Sequence, residues 1–184
     1  KVVFFQEHKL RRQEVPKVRK RLKEAGWMIH CTPCDVTGSR PAAGVGVMWR
    51  EDQVKVYPER IKDEELLKAY DVGMVGKYIL DVGWEKTYTV YNLYGKSGGS
   101  KDAVTTTEAL CRGCKRDGDR SLHCPKMWVG DFNATPCDLL SVREMIRDHQ
   151  WTDVGHRANW WRGKPDEWTC HSRAKAKQSR IDGI

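Results

Sequence analysis

The sequence contains no uninterrupted apolar run of about 18 residues, so we expect no membrane-spanning helix. It also contains no internal repeat and no low-complexity segment. Its seven cysteines are an odd number and lie among many charged residues, which argues against a disulfide framework. We therefore expect a protein of the reducing intracellular environment that does not span a membrane.

The composition is that of a folded domain. Apolar residues make up 39% of the 184 residues, and the eight tryptophans argue against a disordered tail. This length suits one domain that buries roughly 70% of the surface of its unfolded chain. Lysine and arginine number 33 against 25 acidic residues, which gives a formal net charge of +8. The charge favours a polyanionic partner such as nucleic acid, although a lysine-rich solvated surface explains it equally well.

The spacing of apolar residues predicts a mixed chain of strands and helices. Apolar or alternating runs predict strands at 2–5, 27–30, 45–50, 53–57, 75–82, 87–93, 127–129, 168–171 and 180–184. Helical spacing predicts helices at 16–25, 105–115 and 138–149, and a helix or loop at 62–70. We expect 45–50 to form a hairpin with 53–57, and 75–82 to pair with 87–93. Because many strands follow one another directly, we expect two sheets packed face to face with helices outside.

Acidic residues come directly after three of the predicted strands or apolar runs. Glu7 follows Val-Val-Phe-Phe-Gln, Asp131 follows Met-Trp-Val-Gly, and Asp182 follows Arg-Ile. A carboxylate at a strand end lies at the rim of a rigid sheet, and its hard oxygen atoms suit Mg²⁺ or Mn²⁺. Each residue taken singly is typical of a cap or a turn, but three of them, each within a wider sequence pattern, make that explanation less complete.

Five short segments around these residues resemble the motifs of one family. They are FQE at 5–7, GVGV at 44–47, VYNLY at 90–94, GDFN at 130–133 and SRID at 179–182. In this order and spacing they resemble the endonuclease/exonuclease/phosphatase family, which has the DNase I-like fold and includes apurinic/apyrimidinic and retroelement endonucleases. The segments cover nearly the whole chain, and GDFN matches the family signature in full. The resemblance implies an α/β four-layer sandwich of two mixed sheets with helices outside.

The resemblance also implies metal-assisted hydrolysis of a phosphoester by in-line attack of water. Glu7 would bind Mg²⁺, for which Mn²⁺ is an alternative. Asp131 would orient or deprotonate the attacking water, and Asp182 would orient a catalytic histidine. Tyr94 and Asn133 would hold and position the scissile phosphate.

The chain also departs from the family pattern. The family has a first strand with a metal-site asparagine, which would precede Lys1, and a Ser-Asp-His element, which would follow Ile184. We therefore expect residues 1–184 to form a single domain that lacks these two elements. Gly95 follows Tyr94 at a position where the family often has proline.

A basic stretch follows Glu7, and an aromatic pair precedes the last predicted strands. Next to a site at Glu7, the cations of 9–23 could track a phosphate backbone, although a solvated helix face has the same composition. The aromatic pair could stack on a base, and the alternative is a packed loop anchor. The candidate nucleic-acid-binding residues are Arg11, Arg12, Lys17, Arg21, Trp160 and Trp161.

A zinc site at Cys111, Cys114, His123 and Cys124 has the right residue types. The spacing of these residues is short and irregular, and the first two fall at the end of a predicted helix. We therefore favour free thiols and do not expect zinc.

These observations favour a Mg²⁺-dependent phosphodiesterase, most simply a nuclease that acts as a monomer on DNA or RNA. Two alternatives remain open. One is a non-catalytic nucleic-acid-binding relative, and the other is a phosphatase that acts on inositol phosphates or lipids. The net charge and the basic helix favour the nuclease, although inositol phosphates are polyanions as well.

Overall fold

The computed structural model describes residues 1–34, 36–38, 41–98, 100–120 and 124–165. For 170–171, 178–179 and 182–183 it describes the backbone, as it does for Trp161. The helices are α1 (Val15–Glu24), α2 (Glu64–Asp71), α3 (Lys101–Asp119) and α4 (Leu140–Arg147), followed by a 3₁₀ helix (Ala158–Trp161). The strands are β1 (Val2–Phe5), β2 (Met28–Cys31), β3 (Gly46–Trp49), β4 (Lys55–Pro58), β5 (Val75–Asp81), β6 (Thr87–Tyr94), β7 (Lys126–Asp131), β8 (Cys170–His171), β9 (Gln178–Ser179) and β10 (Asp182–Gly183).

The strands form two main sheets and a short ribbon of β8 and β9. The first sheet has the order β1-β3-β2, in which both outer strands are antiparallel to β3. The second has the order β10-β7-β6-β5-β4, in which β6 and β7 are parallel and the other neighbours antiparallel. Because α1 connects the parallel strands β1 and β2, it begins at the edge of the first sheet where β1 ends.

The two sheets pack face to face, and the helices cover their outer faces. Between the sheets lies a core that includes Val47, Val56 and Tyr78. The outer face of the second sheet packs against α2, α3 and α4 through a second core that includes Tyr91 and Leu110. On the opposite side, α1 packs against β2 of the first sheet. The predicted sandwich with helices outside is therefore confirmed.

Most elements lie near their predicted positions, but one predicted pairing is wrong. The segments 45–50 and 53–57 do not form a hairpin, because β3 belongs to the first sheet and β4 to the second. Val47 and Val56 enter the same core from opposite sides. The chain crosses from one sheet to the other at 50–54. The sequence pattern did not show this, because alternation along a strand specifies its buried face but not its partner strand.

The helix α3 is longer than predicted and supports its neighbour α4. It begins after Ser100, whose Oγ accepts the N–H of Ala103 at 3.1 Å. Further along, the buried carboxylate of Glu108 accepts both the N–H and the hydroxyl of Ser141 at 3.1 Å, which caps α4. Neither α3 nor any other helix in the described ranges is long and apolar enough to cross a bilayer.

Candidate active site

The ends of β6 and β7 lie side by side and bring two predicted site residues together. In the parallel register, Tyr94 at the end of β6 is the partner of Asp131 at the end of β7. On the other side of β7, the backbone of Asp182 pairs with Asp131. Neighbouring strands lie about 4.8 Å apart. Three residues from separate motifs therefore form one row across the strands of the second sheet, at the end where β6 and β7 end.

Two glycines allow the chain to approach itself closely beside this row. Gly130 has a φ of +136°, and a Cβ there would lie 2.0 Å from the carbonyl oxygen of Leu93. A Cβ on Gly95 would lie 2.0 Å from the carbonyl oxygen of Phe132. The Gly95 N–H also donates to the carbonyl oxygen of Asp131 at 2.7 Å, which proline could not do. Glycine after Tyr94 therefore has a steric and a hydrogen-bonding reason.

The GDFN motif holds its own turn at the end of β7. Asn133 has a φ of +50°, a conformation that asparagine tolerates better than most residues. Its N–H donates to Oδ1 of Asp131 at 2.9 Å, and its side-chain amide donates to the carbonyl oxygen of Gly95 at 3.0 Å. The Asp131 carboxylate, which is partly buried, is therefore fixed at the rim of the sheet.

Glu7 reaches the same rim from the first sheet. It follows β1, and its carboxylate accepts a hydrogen bond from the hydroxyl of Tyr94. Nζ of Lys9 lies 3.5 Å from the other carboxylate oxygen. Both Glu7 and Lys9 have positive φ values, +52° and +53°, and the N–H of His8 between them donates to the carbonyl oxygen of Gly44 at 3.1 Å. The strained segment 7–9 is thus held by its contact with the loop before β3.

Tyr94 stands between two carboxylates and keeps its proton. Burial raises the pKa of Tyr94 to about 12, and the hydrogen bond from Tyr94 to Glu7 and the charges of Glu7 and Asp131 act in the same direction. At neutral pH the phenol is therefore a hydrogen-bond donor. The negative charge of the two carboxylates makes the surrounding rim attractive to a cation.

The donor set fits a hard divalent cation that keeps part of its water shell. Glu7 and Asp131 offer carboxylate oxygens, and Mg²⁺ is commonly bound through one or two carboxylates together with waters and substrate oxygens. Among the residues that the structure describes, no three His, Cys, Asp or Glu side chains cluster as a metal cage. The two carboxylates have the donor chemistry that Mg²⁺ or Mn²⁺ prefers.

The cysteines of α3 lie in an environment that favours the thiol. Cys111 and Cys114 are fully buried, and burial raises the pKa of both. Among the described residues, these cysteines do not gather with other side chains into a group of three that could hold a metal ion. Sγ of Cys124 lies 2.9 Å from Oγ1 of Thr89, and His123 falls outside the described residues.

An exposed basic surface begins beside Glu7. We use the name basic surface for Arg11, Arg12, Lys17 and Arg21, which are all exposed. Lys17 and Arg21 are four residues apart on α1 and therefore share one face of the helix. Within the described ranges, no carboxylate forms an ion pair with any of these four cations. Their charge therefore remains available to a partner.

The predicted aromatic pair lies in the 3₁₀ helix. Trp160 is 65% exposed, and the guanidinium of Arg157 lies 4.7 Å from the centre of its ring. This exposure does not fit a packed loop anchor. The side chain of Trp161 lies outside the described residues.

Two residues beside the site were missed by the sequence analysis although they lie within its motifs. Asn92 is fully buried in β6, and Nε2 of Gln6 donates to its Oδ1 at 2.6 Å. The available signal was a polar residue at a strand position where the alternation requires an apolar one. A buried amide needs hydrogen-bond partners, so such a residue marks a contact between distant segments.

The two sheets and the outer helices form the DNase I-like α/β sandwich fold. The chain is similar to the AP endonuclease LMAP from Leishmania major, with a TM-score of 0.63 and 15% identity over 99% of this chain and 68% of that chain. A Leptotrichia buccalis C-1013-b protein of the endonuclease/exonuclease/phosphatase family has a TM-score of 0.62 and 14% identity over 99% and 73%, respectively.

The catalytic domain of human Nocturnin is also similar, with a TM-score of 0.61 and 11% identity over 99% of this chain and 67% of that domain. The chain thus spans between 67% and 73% of the length of these three structures. At these identities the likeness shows a common fold. No protein-family model and no curated protein sequence matches the chain.

Proposed function

We propose that this chain is a Mg²⁺-dependent phosphodiesterase that cleaves nucleic acid. The observation that carries the proposal is the meeting of Glu7, from the first sheet, with Tyr94 and Asp131 at the rim of the second. The two carboxylates can hold a divalent cation, and a cation together with the protonated phenol suits a reaction in which negative charge develops on phosphate oxygens. When bound, Mg²⁺ supplies positive charge that stabilises those oxygens.

Each residue of the rim has a role that its chemistry supports. Glu7 holds the cation, and Asp131, oriented by the N–H of Asn133, accepts a proton from the attacking water. Tyr94 donates a hydrogen bond to the phosphate, and Asn133 holds the turn that places these groups. The backbone of Asp182 lies in the same row, which is compatible with the orienting role that the resemblance implies.

The basic surface supports nucleic acid as the substrate. A single inositol phosphate can occupy the rim at Glu7, whereas a polynucleotide can also extend along α1 and reach the exposed cations there. Trp160 offers an exposed aromatic ring of the kind that stacks on unpaired bases. Both features favour a polymeric polyanion.

We expect cleavage of labelled DNA or RNA to require a divalent cation. EDTA should abolish cleavage, and Mg²⁺ or Mn²⁺ should restore it, because two carboxylates without a cation repel the phosphate. The assay compares duplex DNA, single-stranded DNA, RNA and inositol phosphates on gels and by phosphate release. Salt-dependent binding without turnover would favour the non-catalytic alternative. Phosphate release from inositol phosphates alone would favour the phosphatase.

We expect the variant Lys17→Gln/Arg21→Gln to bind DNA less tightly and with a weaker dependence on salt. Each lost phosphate contact reduces the slope of log K against log salt by about 0.9 for duplex DNA, so the slope should fall by about 2. The matched control, Lys55→Gln/Lys68→Gln, removes the same charge from exposed positions on β4 and α2. If both variants change the slope equally, net charge rather than the basic surface governs binding.

A further inference from the structure

The candidate active site is divided between the two sheets. Glu7 follows a strand of the first sheet, whereas Tyr94 and Asp131 end strands of the second. The apolar contacts that hold the sheets together have no preferred direction, so they permit small shifts of one sheet over the other. A fixed distance between Glu7 and Tyr94 therefore requires directional contacts near this end of the sandwich.

Asn92 makes such contacts. It lies two residues before Tyr94 on β6, and its side chain faces the first sheet and is fully buried. Its Nδ2 donates to the carbonyl oxygens of Phe5 at 3.0 Å and Gly46 at 2.8 Å. Its Oδ1 accepts from Nε2 of Gln6 at 2.6 Å. One side chain of the second sheet thus joins two strands of the first.

Two of the hydrogen-bond partners of Asn92 are close neighbours of Glu7 in the sequence. Phe5 and Gln6 directly precede Glu7, and the bonds therefore fix the two residues from which Glu7 projects. Both hydrogens of the Asn92 amide group are used, and its oxygen is used as well. Losing this amide would leave the partly buried end of β1 without these directional contacts to β6.

We infer that Asn92, together with Gln6, is a positioning residue that sets the place of Glu7 relative to Tyr94 and Asp131. This inference rests on the proposed function in so far as Glu7 is taken as the cation ligand. Its consequence is that the affinity for a divalent cation depends on a buried amide that touches neither cation nor substrate. Replacing a residue that holds a metal ligand in place without touching the metal typically changes metal affinity or activity by about 10–100-fold.

The test compares Asn92→Leu and Gln6→Met with Val90→Ala. Val90 is fully buried on the same face of β6, two residues from Asn92, and its truncation weakens the contact between the sheets without removing a hydrogen bond. The affinity for Mn²⁺ is measured by electron paramagnetic resonance without substrate. We expect Asn92→Leu to weaken it about 10-fold, Gln6→Met to weaken it less, and Val90→Ala to leave it unchanged.

A second measurement requires neither a cation nor activity. In EDTA, Tyr94→Phe removes the hydrogen bond to Glu7, so it should lower the urea midpoint in the wild-type background. In the Asn92→Leu background it should lower the midpoint less, because Glu7 no longer meets Tyr94. In the Val90→Ala background the two effects should add. If Asn92→Leu does not fold, Gln6→Met takes its place in the same cycle.

The outcomes separate this inference from the proposed function. If Asn92→Leu and Gln6→Met behave like Val90→Ala in both measurements, the positioning role is overturned even if the wild type cleaves DNA. If they weaken Mn²⁺ binding and lose the coupling to Tyr94 while no substrate is cleaved, the positioning role stands and the proposed nuclease fails.

Discussion

Asp131→Asn is expected to lower the single-turnover rate constant of nucleic-acid cleavage by about 10²–10⁴-fold. The amide cannot accept the proton of the attacking water, whereas the carboxylate at the end of β7 can. In the structure the Asn133 N–H donates to Oδ1 of Asp131 at 2.9 Å. The amide oxygen of the variant can still accept this hydrogen bond, so the fold should tolerate the change. The loss should therefore appear in the chemical step rather than in stability.

The measurement is single-turnover cleavage of a labelled oligonucleotide at saturating protein, together with the urea midpoint of each variant. Asp148→Asn is the matched control, since it removes the same charge from an exposed position after α4. We expect this control to cleave at the wild-type rate. Wild-type cleavage by Asp131→Asn would exclude Asp131 as the proton acceptor and would point to a contaminating nuclease.

Asp117→Ala is expected to lower the free energy of unfolding by about 3–5 kcal/mol, because it leaves a buried ammonium group without its closest partner. Nζ of Lys77 lies 2.9 Å from Oδ2 of Asp117, and both side chains are fully buried. Glu59, at 3.4 Å from Nζ, is the more exposed second partner. Tyr91 also donates to Oδ2 of Asp117 at 2.8 Å, so the substitution removes acceptors from two buried groups.

Urea unfolding followed by tryptophan fluorescence measures this effect. Asp119→Ala is the matched control on the same helix, because Asp119 is exposed and forms a surface ion pair with Lys115 at 3.2 Å. Surface pairs contribute at most about 1 kcal/mol, so this control should change stability little. Equal stability of the two variants would show that the buried network contributes nothing.

The contacts of Asp117 with Lys77 and Tyr91 also predict how the free energy of unfolding changes with pH. Burial alone would raise the pKa of Asp117, but hydrogen bonds from Lys77, the Lys62 N–H and Tyr91 lower it below its ordinary value. The ionised Asp117 therefore contributes its full stabilisation of the fold above the ordinary carboxyl pKa. This stabilisation is lost as the pH falls through the pKa of Asp117 in the folded protein. The stability of Asp117→Ala should accordingly fall less on acidification than that of the wild type.

The residues of the rim stand in motifs that can be recognised in the sequence, whereas the contacts that assemble the rim cannot. Asp131 and Asn133 could be found because a short strand ends at a four-residue motif whose turn is held by its own side chains. The steric need for Gly95 could not be found, because the clash of a Cβ there involves Phe132, which is distant along the chain. The hairpin of 45–50 and 53–57 was predicted wrongly for a related reason: proximity along the chain favours pairing, but packing placed the strands in different sheets.

Most strands, the turns after them and the residues at those turns can be predicted from the sequence, because they depend on periodicity and on the chemistry of neighbouring residues. The contact of Glu7 with Tyr94, 87 positions away, arises only when the two sheets pack together. The same is true of the hydrogen bonds by which Asn92 joins the strands that carry these two residues. Burial specifies which face of a strand turns inward. Directional hydrogen bonds between the sheets specify the position of one sheet relative to the other.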